Sequence, residues 1–453
     1  MADVHDYIDQ NLPRFREELF EFLRIPSVSA RSEHREDMRA AAEWLYEKMR
    51  AVGLEATIEE TPGHPIVVGE WRGAGDDAPT VLVYGHYDVQ PVEPLELWTS
   101  PPFEPTIRDG RIYARGSVDD KGQLYLHLKA AEAHMKATGR LPVNLIILAE
   151  GEEEVGSANL LPFVERNADR LAAAAVVISD STMFAPGMPT IGASLRGLAY
   201  FEIHVEGPSQ DLHSGSYGGA VVNPANALAK IIASFHDENG RVAIEAFYDD
   251  VAAAPEFVDR IRSLPFDDEA FRAEVGAPAL GGEAGYGTLE RLWVRPTLDV
   301  NGLLSGYTGE GAKTVLPARA MAKVSCRLVP DQDPKRIGDL FEAHVRKVAP
   351  KGVKVTVHRL HHAEPWKARL EGRLYEAAAR ALEKAFGRAP VYAGEGGTIP
   401  IVPAFERILG APVLLMGFGL PGENAHAPNE WMSLENFEKG THAAAALLTE
   451  LGV

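Results

Sequence analysis

VNLIILAEGEEEVGS, residues 143–157, runs from an apolar stretch straight into a crowd of carboxylates. The first seven residues carry no charge and are mostly branched and apolar, which reads as a strand buried on both faces. A strand covered on both faces needs helices on either side of its sheet, so this stretch points to an α/β fold. Glu150, Glu152, Glu153 and Glu154 then follow within five positions. Carboxylates this close raise one another's pKa and destabilise the fold unless cations neutralise them.

The same style extends outward. TVLVYG at 80–85 and AAVVIS at 174–179 are further buried strands, and KGQLYLHLKAAEAHMKATG at 121–139 reads as an amphipathic helix closed by Gly139. Residues 7–52 read as helical, ending at Gly53. From about residue 195 the period changes to strict alternation in LAYFEIHVEG, AMAKVSCRLV and VKVTVHRL, interleaved with the helical stretches NPANALAKIIASF and DPKRIGDLFEAHVRKV. Strands that bury one face only describe an antiparallel sheet with helices on one side. After about 365 the α/β style returns with LYEAAARALEKAF, APVLLMGF and SLENFEKGTHAAAALLTEL. The expected organisation is a mixed, largely parallel sheet flanked by helices over 1–194 and 365–453, interrupted by a smaller α+β antiparallel-sheet domain over 195–364.

Size and composition agree with this. At 453 residues the chain is long for a single core. With 65 acidic against 45 basic residues its formal charge is −20, which argues against nucleic acid or an anionic membrane as the main partner. The first ten residues, MADVHDYIDQ, lack a basic segment followed by an apolar one, and runs such as LAAAAVVI are far short of a membrane span. A cytoplasmic location is therefore expected. Cys326 stands alone, so an intramolecular disulfide and a cysteine-based zinc site are excluded. Any metal must be held by histidines and carboxylates.

Such groups stand at the ends of four apolar strands. VLVYGHYD gives His86 and Asp88, LIILAEGEEE gives Glu153 and Glu154, VVISDS gives Asp180, and VLLMGFGLPGENAH leads to His426, while Asp119 and Asp120 in RGSVDDKG begin the helix after the first strand. In open α/β sheets the site lies beyond the carboxyl ends of the strands, where these groups converge. Two histidines and several carboxylates without cysteine suit two divalent cations sharing one carboxylate, with zinc first and manganese or cobalt as alternatives.

GHYDVQP, RDGRIYARGSVDDKGQ, EGEEEVGS, ISDS, DLHSGSYGG, GEGAKTVLP, RLVPD, EGGTIP and AHAPNE occur in this order between residues 85 and 430. In this the chain resembles the dinuclear metallopeptidases that include carnosine dipeptidases, carboxypeptidase G, aminoacylases and succinyl-diaminopimelate desuccinylase, the cytosolic dipeptidase branch above all. The resemblance implies that Asp119 bridges the two metals, with His86 and Asp180 completing one site and Glu154 and His426 the other. It implies Glu153 as general base toward a metal-bridging water, and Asp88 as acceptor of the His86 imidazole N–H. The insertion would be a lid and dimerisation domain, with His213 acting in trans on the oxyanion of a homodimer's other active site. Arg327 would pair with a substrate carboxylate, helped by Thr314 and by Gly397 and Thr398, where backbone N–H groups open a helix. Glu152 matches no role in the family.

The activity so implied is hydrolysis of the amide bond of dipeptides or similar small substrates with a free carboxylate. N-acyl amino acid deacylation and dipeptide binding without catalysis are the rivals. GFGLPG at 417–422 fits a dinucleotide fingerprint, but Pro421 and ENAHAPNE do not open a helix. GYTGEGAKT at 306–314 misses the phosphate-loop pattern by the inserted Ala312. His127 and His134, seven apart on a helix, lack a third ligand nearby, and His361 and His362 are adjacent on a strand and point different ways.

Overall fold

The strand Asn144–Glu150 is buried at every position, as its composition requires. It lies in the mixed sheet of a computed structural model that describes residues 3–453. The chain divides into two units. The first holds the chain up to Ala193 together with Ala368–Ala393 and Ala404–Val453, and the second holds Ser194–Lys367 and Gly394–Pro403.

In the first unit the strand order is 55–59, 66–71, 144–150, 80–86, 175–178, 413–415 and 190–195. The pairings 144–150 with 80–86, 80–86 with 175–178, and 175–178 with 413–415 are parallel, and the outer ones are antiparallel. The parallel strands end side by side: His86 stands opposite Glu150, and the Tyr87 N–H donates to the Glu150 carbonyl. The strand-end residues therefore emerge along one edge of the sheet. Gly85 is required here, because a Cβ at that position would lie 2.7 Å from Asp120 Oδ2.

Helix Lys121–Thr138 ends at Gly139 in the left-handed conformation with φ 79°. It is buried on almost every face, not on one, because the helices 4–23, 35–52 and 434–452 and the strand 80–86 all pack against it. Its charged residues survive burial by pairing. Lys129 Nζ donates to Glu18 and to Glu132 at 2.5 and 2.7 Å, and Lys121 Nζ donates to the carbonyls of Phe22 and Ile25. The N-terminal helical run is also two helices, Val4–Leu23 and Arg35–Val52. Pro26 cannot continue a helix, and the freed segment docks on the end of the central strand, where Ser27 Oγ donates to the Tyr87 carbonyl and the Val89 N–H donates to Ser27.

A small sheet pairs strand 431–433 with 111–113 and 111–113 with 106–108, none of them expected from the sequence. It ties the segment after His426 to the segment before Asp119. These strands are three residues each, too short for a hydrophobic period to show.

The second unit contains a four-stranded antiparallel sheet in the order 297–305, 319–328, 197–206, 354–363. Strand Gly197–Glu206 alternates buried and half-buried positions along its length. Its inward face meets the helices 224–233 and 334–348, with Phe201 stacked on Phe341 at 4.1 Å between ring centroids. Each such buried apolar side chain adds about 1.5–3 kcal/mol. Strand Thr297–Ser305 and the short helices 255–263, 268–274 and 288–293 belong to this unit without having announced themselves in the sequence.

Candidate metal centre

One strand end and four loops at the sheet edge of the first unit bring five side chains together. His86 ends its strand, Asp119 precedes the helix that Asp120 caps, Asp180 follows the strand Ala175–Ile178, Glu154 lies in the turn after Glu150, and His426 sits in the loop before Trp431. His86 Nε2 is 3.1 Å from Asp119 Oδ1 and 3.8 Å from Asp180 Oδ2. His426 Nε2 is 2.9 Å from Asp119 Oδ2 and 3.3 Å from Glu154 Oε2. Among the described residues, His86, Asp119 and Asp180 form one group able to hold a metal ion, and Asp119, Glu154 and His426 form another. Each group has its ligand atoms within 4.8 Å of one another, and Asp119 offers one oxygen to each. Imidazole nitrogen and carboxylate oxygen, two donors on each side of a shared aspartate and so three per group, fit two divalent transition-metal ions.

The electrostatics show how much negative charge this arrangement confines. Burial, with Asp119 and Glu154 against the imidazoles of His86 and His426, pushes the Asp180 carboxyl up to about 7. Burial and the charges of Asp180, Glu154 and Asp119, against the opposing His86, push Glu153 up to about 9. Hydrogen bonds to Asp119 and Glu154 carry His426 up to about 10 despite its partial burial. Carboxyls that hold protons and an imidazole that holds its positive charge are the response of a site needing cationic partners.

The four glutamates divide their work. Glu150 is buried, and its Oε1 accepts from Tyr84 Oη at 2.5 Å and from Ser157 Oγ at 2.8 Å. Glu152 accepts from the His64 N–H at 2.9 Å and from the Asn159 amide group at 2.8 and 3.0 Å, so it staples this loop to the 61–65 loop. Glu154 faces Asp119 and His426 through the second group, and Glu153 stands outside both groups. Asp88 sits under them: its Oδ1 and Oδ2 accept the backbone N–H groups of Glu153 and Glu154, and Oδ1 lies 3.3 Å from His86 Nδ1. The carbonyl of Asp88 also faces His86 Nδ1, at 3.1 Å. An N–H at Nδ1 leaves the Nε2 lone pair of His86 aimed at the metal group.

In the second unit, Arg327 Nη1 donates to Thr398 Oγ1 at 2.9 Å, and that hydroxyl donates to the Arg196 carbonyl. Arg196 Nε in turn donates to the Gly396 carbonyl, and the Arg196 N–H to that of Gly397. The helix expected to open at Gly397 and Thr398 begins three residues later, at Ile401. Pro400 lacks an N–H and restricts Ile399, so the turn before it stays extended. Thr314 and His213 meet through backbone: the Ser214 N–H donates to the Thr314 carbonyl, and His213 pairs with Val315. His213 is exposed, and its Nδ1 accepts from the N–H groups of Gly215 and Ser216. That places the ring proton on Nε2, which is therefore a donor.

The decoys resolve as structure. His127 Nε2 donates to Ser179 Oγ, whose proton goes to the Met416 carbonyl, and burial lowers His127 to about 4. His134 Nε2 bonds the Ala445 carbonyl. No helix follows GFGLPG, and the strand Val315–Leu316 follows GYTGEGAKT.

Residues 82–450 match the sequence model of peptidase family M20/M25/M40. The chain belongs to this family. The M20 peptidase is 33% identical over 465 residues to the Cys-Gly metallodipeptidase of Schizosaccharomyces pombe, covering 99% of this chain and 98% of that protein. It is 31% identical over 448 residues to the human Beta-Ala-His dipeptidase, with coverage of 98% and 87%. Its fold superposes with a TM-score of 0.85 on an M20 family metallo-carboxypeptidase from Sulfolobus solfataricus, at 35% identity over 97% of this chain and 99% of that one. The M20 peptidase is thus a metal-dependent peptidase.

Three residues escaped the sequence reading, Gln90 and Glu430 in the first unit and Arg196 in the second. Gln90 Nε2 donates to Glu154 Oε2 at 2.7 Å, Glu430 accepts from the Asp119 backbone, and Arg196 lies beside Arg327. Gln90 and Glu430 fall inside the quoted motifs GHYDVQP and AHAPNE, but an isolated amide or carboxyl in a loop carries no period by which to read it.

Proposed function

We propose that this peptidase hydrolyses the amide bond of dipeptides and similar small substrates that carry a free carboxylate, with His86, Asp119 and Asp180 holding one divalent cation and Asp119, Glu154 and His426 a second. The observation that carries this reading is the shared aspartate: one carboxylate faces both three-donor groups, with Glu153 beside them and outside both. The cations, zinc first among them, supply when bound the positive charge that acidifies an attacking water and polarises the scissile carbonyl.

Glu153 takes the proton of the attacking water and passes it to the leaving amine. A base with its pKa pushed upward by burial is suited to hold that proton between the two transfers. The Nε2–H of His213 donates to the developing oxyanion from the other protomer of a homodimer. The acceptor role of Nδ1 toward Gly215 and Ser216 supports this, since it fixes the donor tautomer. Arg327 pairs with the substrate carboxylate, and Thr314, Gly397 and Thr398 add hydrogen bonds around it. Arg327 lies with Thr398 and next to a second guanidinium, Arg196, which burial and Arg327 lower to about 10. Two neighbouring cations favour an anionic substrate group.

The cytoplasm is the setting we assign, in keeping with the single buried free thiol of Cys326. No helix among the described residues is long and apolar enough to cross a membrane.

A substrate panel tests the reading. Free dipeptides should be cleaved faster than N-acetyl or N-succinyl amino acids, and C-terminal amidation should raise KM by at least ten-fold. Faster cleavage of the acyl amino acids would make the enzyme a deacylase instead.

A further inference from the structure

Glu430 is fully buried, four residues beyond His426, and both its oxygens are spoken for. Oε2 accepts from Arg115 Nη1 at 2.7 Å and the Gly116 N–H at 3.0 Å, and Oε1 accepts from the Val118 N–H at 3.0 Å and the Asp119 N–H at 3.2 Å. One carboxylate thus collects three backbone amides of a single loop, those of Gly116, Val118 and Asp119, the last belonging to the aspartate shared by both metal groups. Arg115, also buried, reaches the other way: its Nη2 donates to the Pro91 carbonyl in the loop that follows His86, Asp88 and Gln90. The backbone adds to the clamp, since the Ala114 N–H donates to the Glu430 carbonyl and Trp431 pairs with Tyr113.

We infer that Arg115 and Glu430 are positioning residues that set the spacing of the two cation sites by locking the Asp119 loop to the loops carrying His426 and His86. A buried ion pair is a poor source of stability, because desolvation offsets its attraction. It is a good source of register when its hydrogen bonds have one geometry in which all are met. Here one of those bonds ends on the backbone N–H of Asp119 and two more on the loop just before it, at Gly116 and Val118, and the two oxygens of Asp119 must face His86 and His426 at once. A lysine in place of Arg115 keeps the charge but cannot reach Glu430 and Pro91 together. A glutamine in place of Glu430 turns N–H donors of its own toward amides that also donate.

This inference rests on the two-cation reading, and the experiment separates the two. Metal-free wild-type, Glu430→Gln, Arg115→Lys and Glu18→Gln proteins are titrated with Mn²⁺ by calorimetry, and the magnetic coupling of the bound pair is read by electron paramagnetic resonance. Glu18 belongs to a charge network between the first and third helices and serves as the control for lost stability alone. The expected result is two Mn²⁺ per chain in wild type and in Glu18→Gln. Glu430→Gln and Arg115→Lys should lose at least one site's affinity by roughly 10–100-fold, with altered coupling, and the order of melting temperatures should not track the order of affinities. If Glu430→Gln does not fold, Arg115→Lys carries the test. Wild-type affinity and coupling in both variants, or equal loss in Glu18→Gln, overturns the positioning role. Failure of wild type to bind a metal pair overturns the two-cation reading itself.

Discussion

Asp88 holds Glu154 by the backbone: its Oδ2 accepts the Glu154 N–H at 3.1 Å, while its Oδ1 accepts that of Glu153 at 3.3 Å and lies 3.3 Å from His86 Nδ1. One buried carboxylate therefore contacts a member of each three-donor group, His86 and Glu154, and also Glu153, which stands outside both groups. Asp88→Asn keeps the shape but points an amide N–H₂ at groups that donate. The expected outcome is a roughly 10–100-fold loss of metal affinity, measured by calorimetric titration of metal-free protein, with secondary structure retained.

Glu153→Gln removes the proposed proton acceptor and leaves both donor groups intact. Turnover should fall by about 10²–10⁴-fold, with two metals per chain still found by elemental analysis. Metal loss without this pattern would mean that Glu153 and Glu154 have exchanged roles.

His213→Ala should lower kcat by about 10²–10³-fold without changing metal content, as expected of a lost oxyanion donor. Because that donor is assigned to the other protomer, mixing inactive His213→Ala with inactive Glu153→Gln should restore activity through hybrid dimers. No recovery in mixtures shown to exchange protomers would place His213 in cis.

Acid stability reports a different cluster. Burial opposes ionisation of Glu18, but hydrogen bonds from Lys129, Tyr125 and Arg14 outweigh it and hold the carboxyl down at about 2. A carboxyl whose folded pKa lies below its unfolded value adds stability at neutral pH, lost as the pH falls from about 4.5 toward 2. Glu18→Gln should cost about 2 kcal/mol near pH 7, a buried-pair figure reduced because the side chain keeps 17% of its surface exposed. The gap between variant and wild type in urea midpoints should close below pH 4.

The parts legible in the sequence were those with a period or a motif. Strands such as Asn144–Glu150 and Gly197–Glu206 declare themselves because burial on two faces or one leaves a different apolar spacing. The approach of His86, Asp119, Asp180, Glu154 and His426 followed from strand ends that share one edge. Other features depend on tertiary contacts that leave no local trace. Helix Lys121–Thr138 looks amphipathic because Lys129 and Glu132 read as surface residues, yet they are buried as each other's partners. Pro26, in contrast, did mark the break between the first two helices, but the helical composition on both sides masked it. Glu152 and Glu430 look like solvated loop acids, and only the amides they collect reveal what they do.

The shared role of Asp119 is tested most directly by adding Zn²⁺, Mn²⁺ or Co²⁺ in steps to metal-free enzyme while following hydrolysis of a dipeptide and counting bound metal. Activity should be absent without metal and should rise to its full value only as the second ion per chain binds. Asp119→Asn, which disturbs the oxygen pair facing both groups, should weaken both binding events together. Full hydrolysis without metal, or loss of a single event in Asp119→Asn with the other unchanged, would contradict a centre built on one bridging carboxylate.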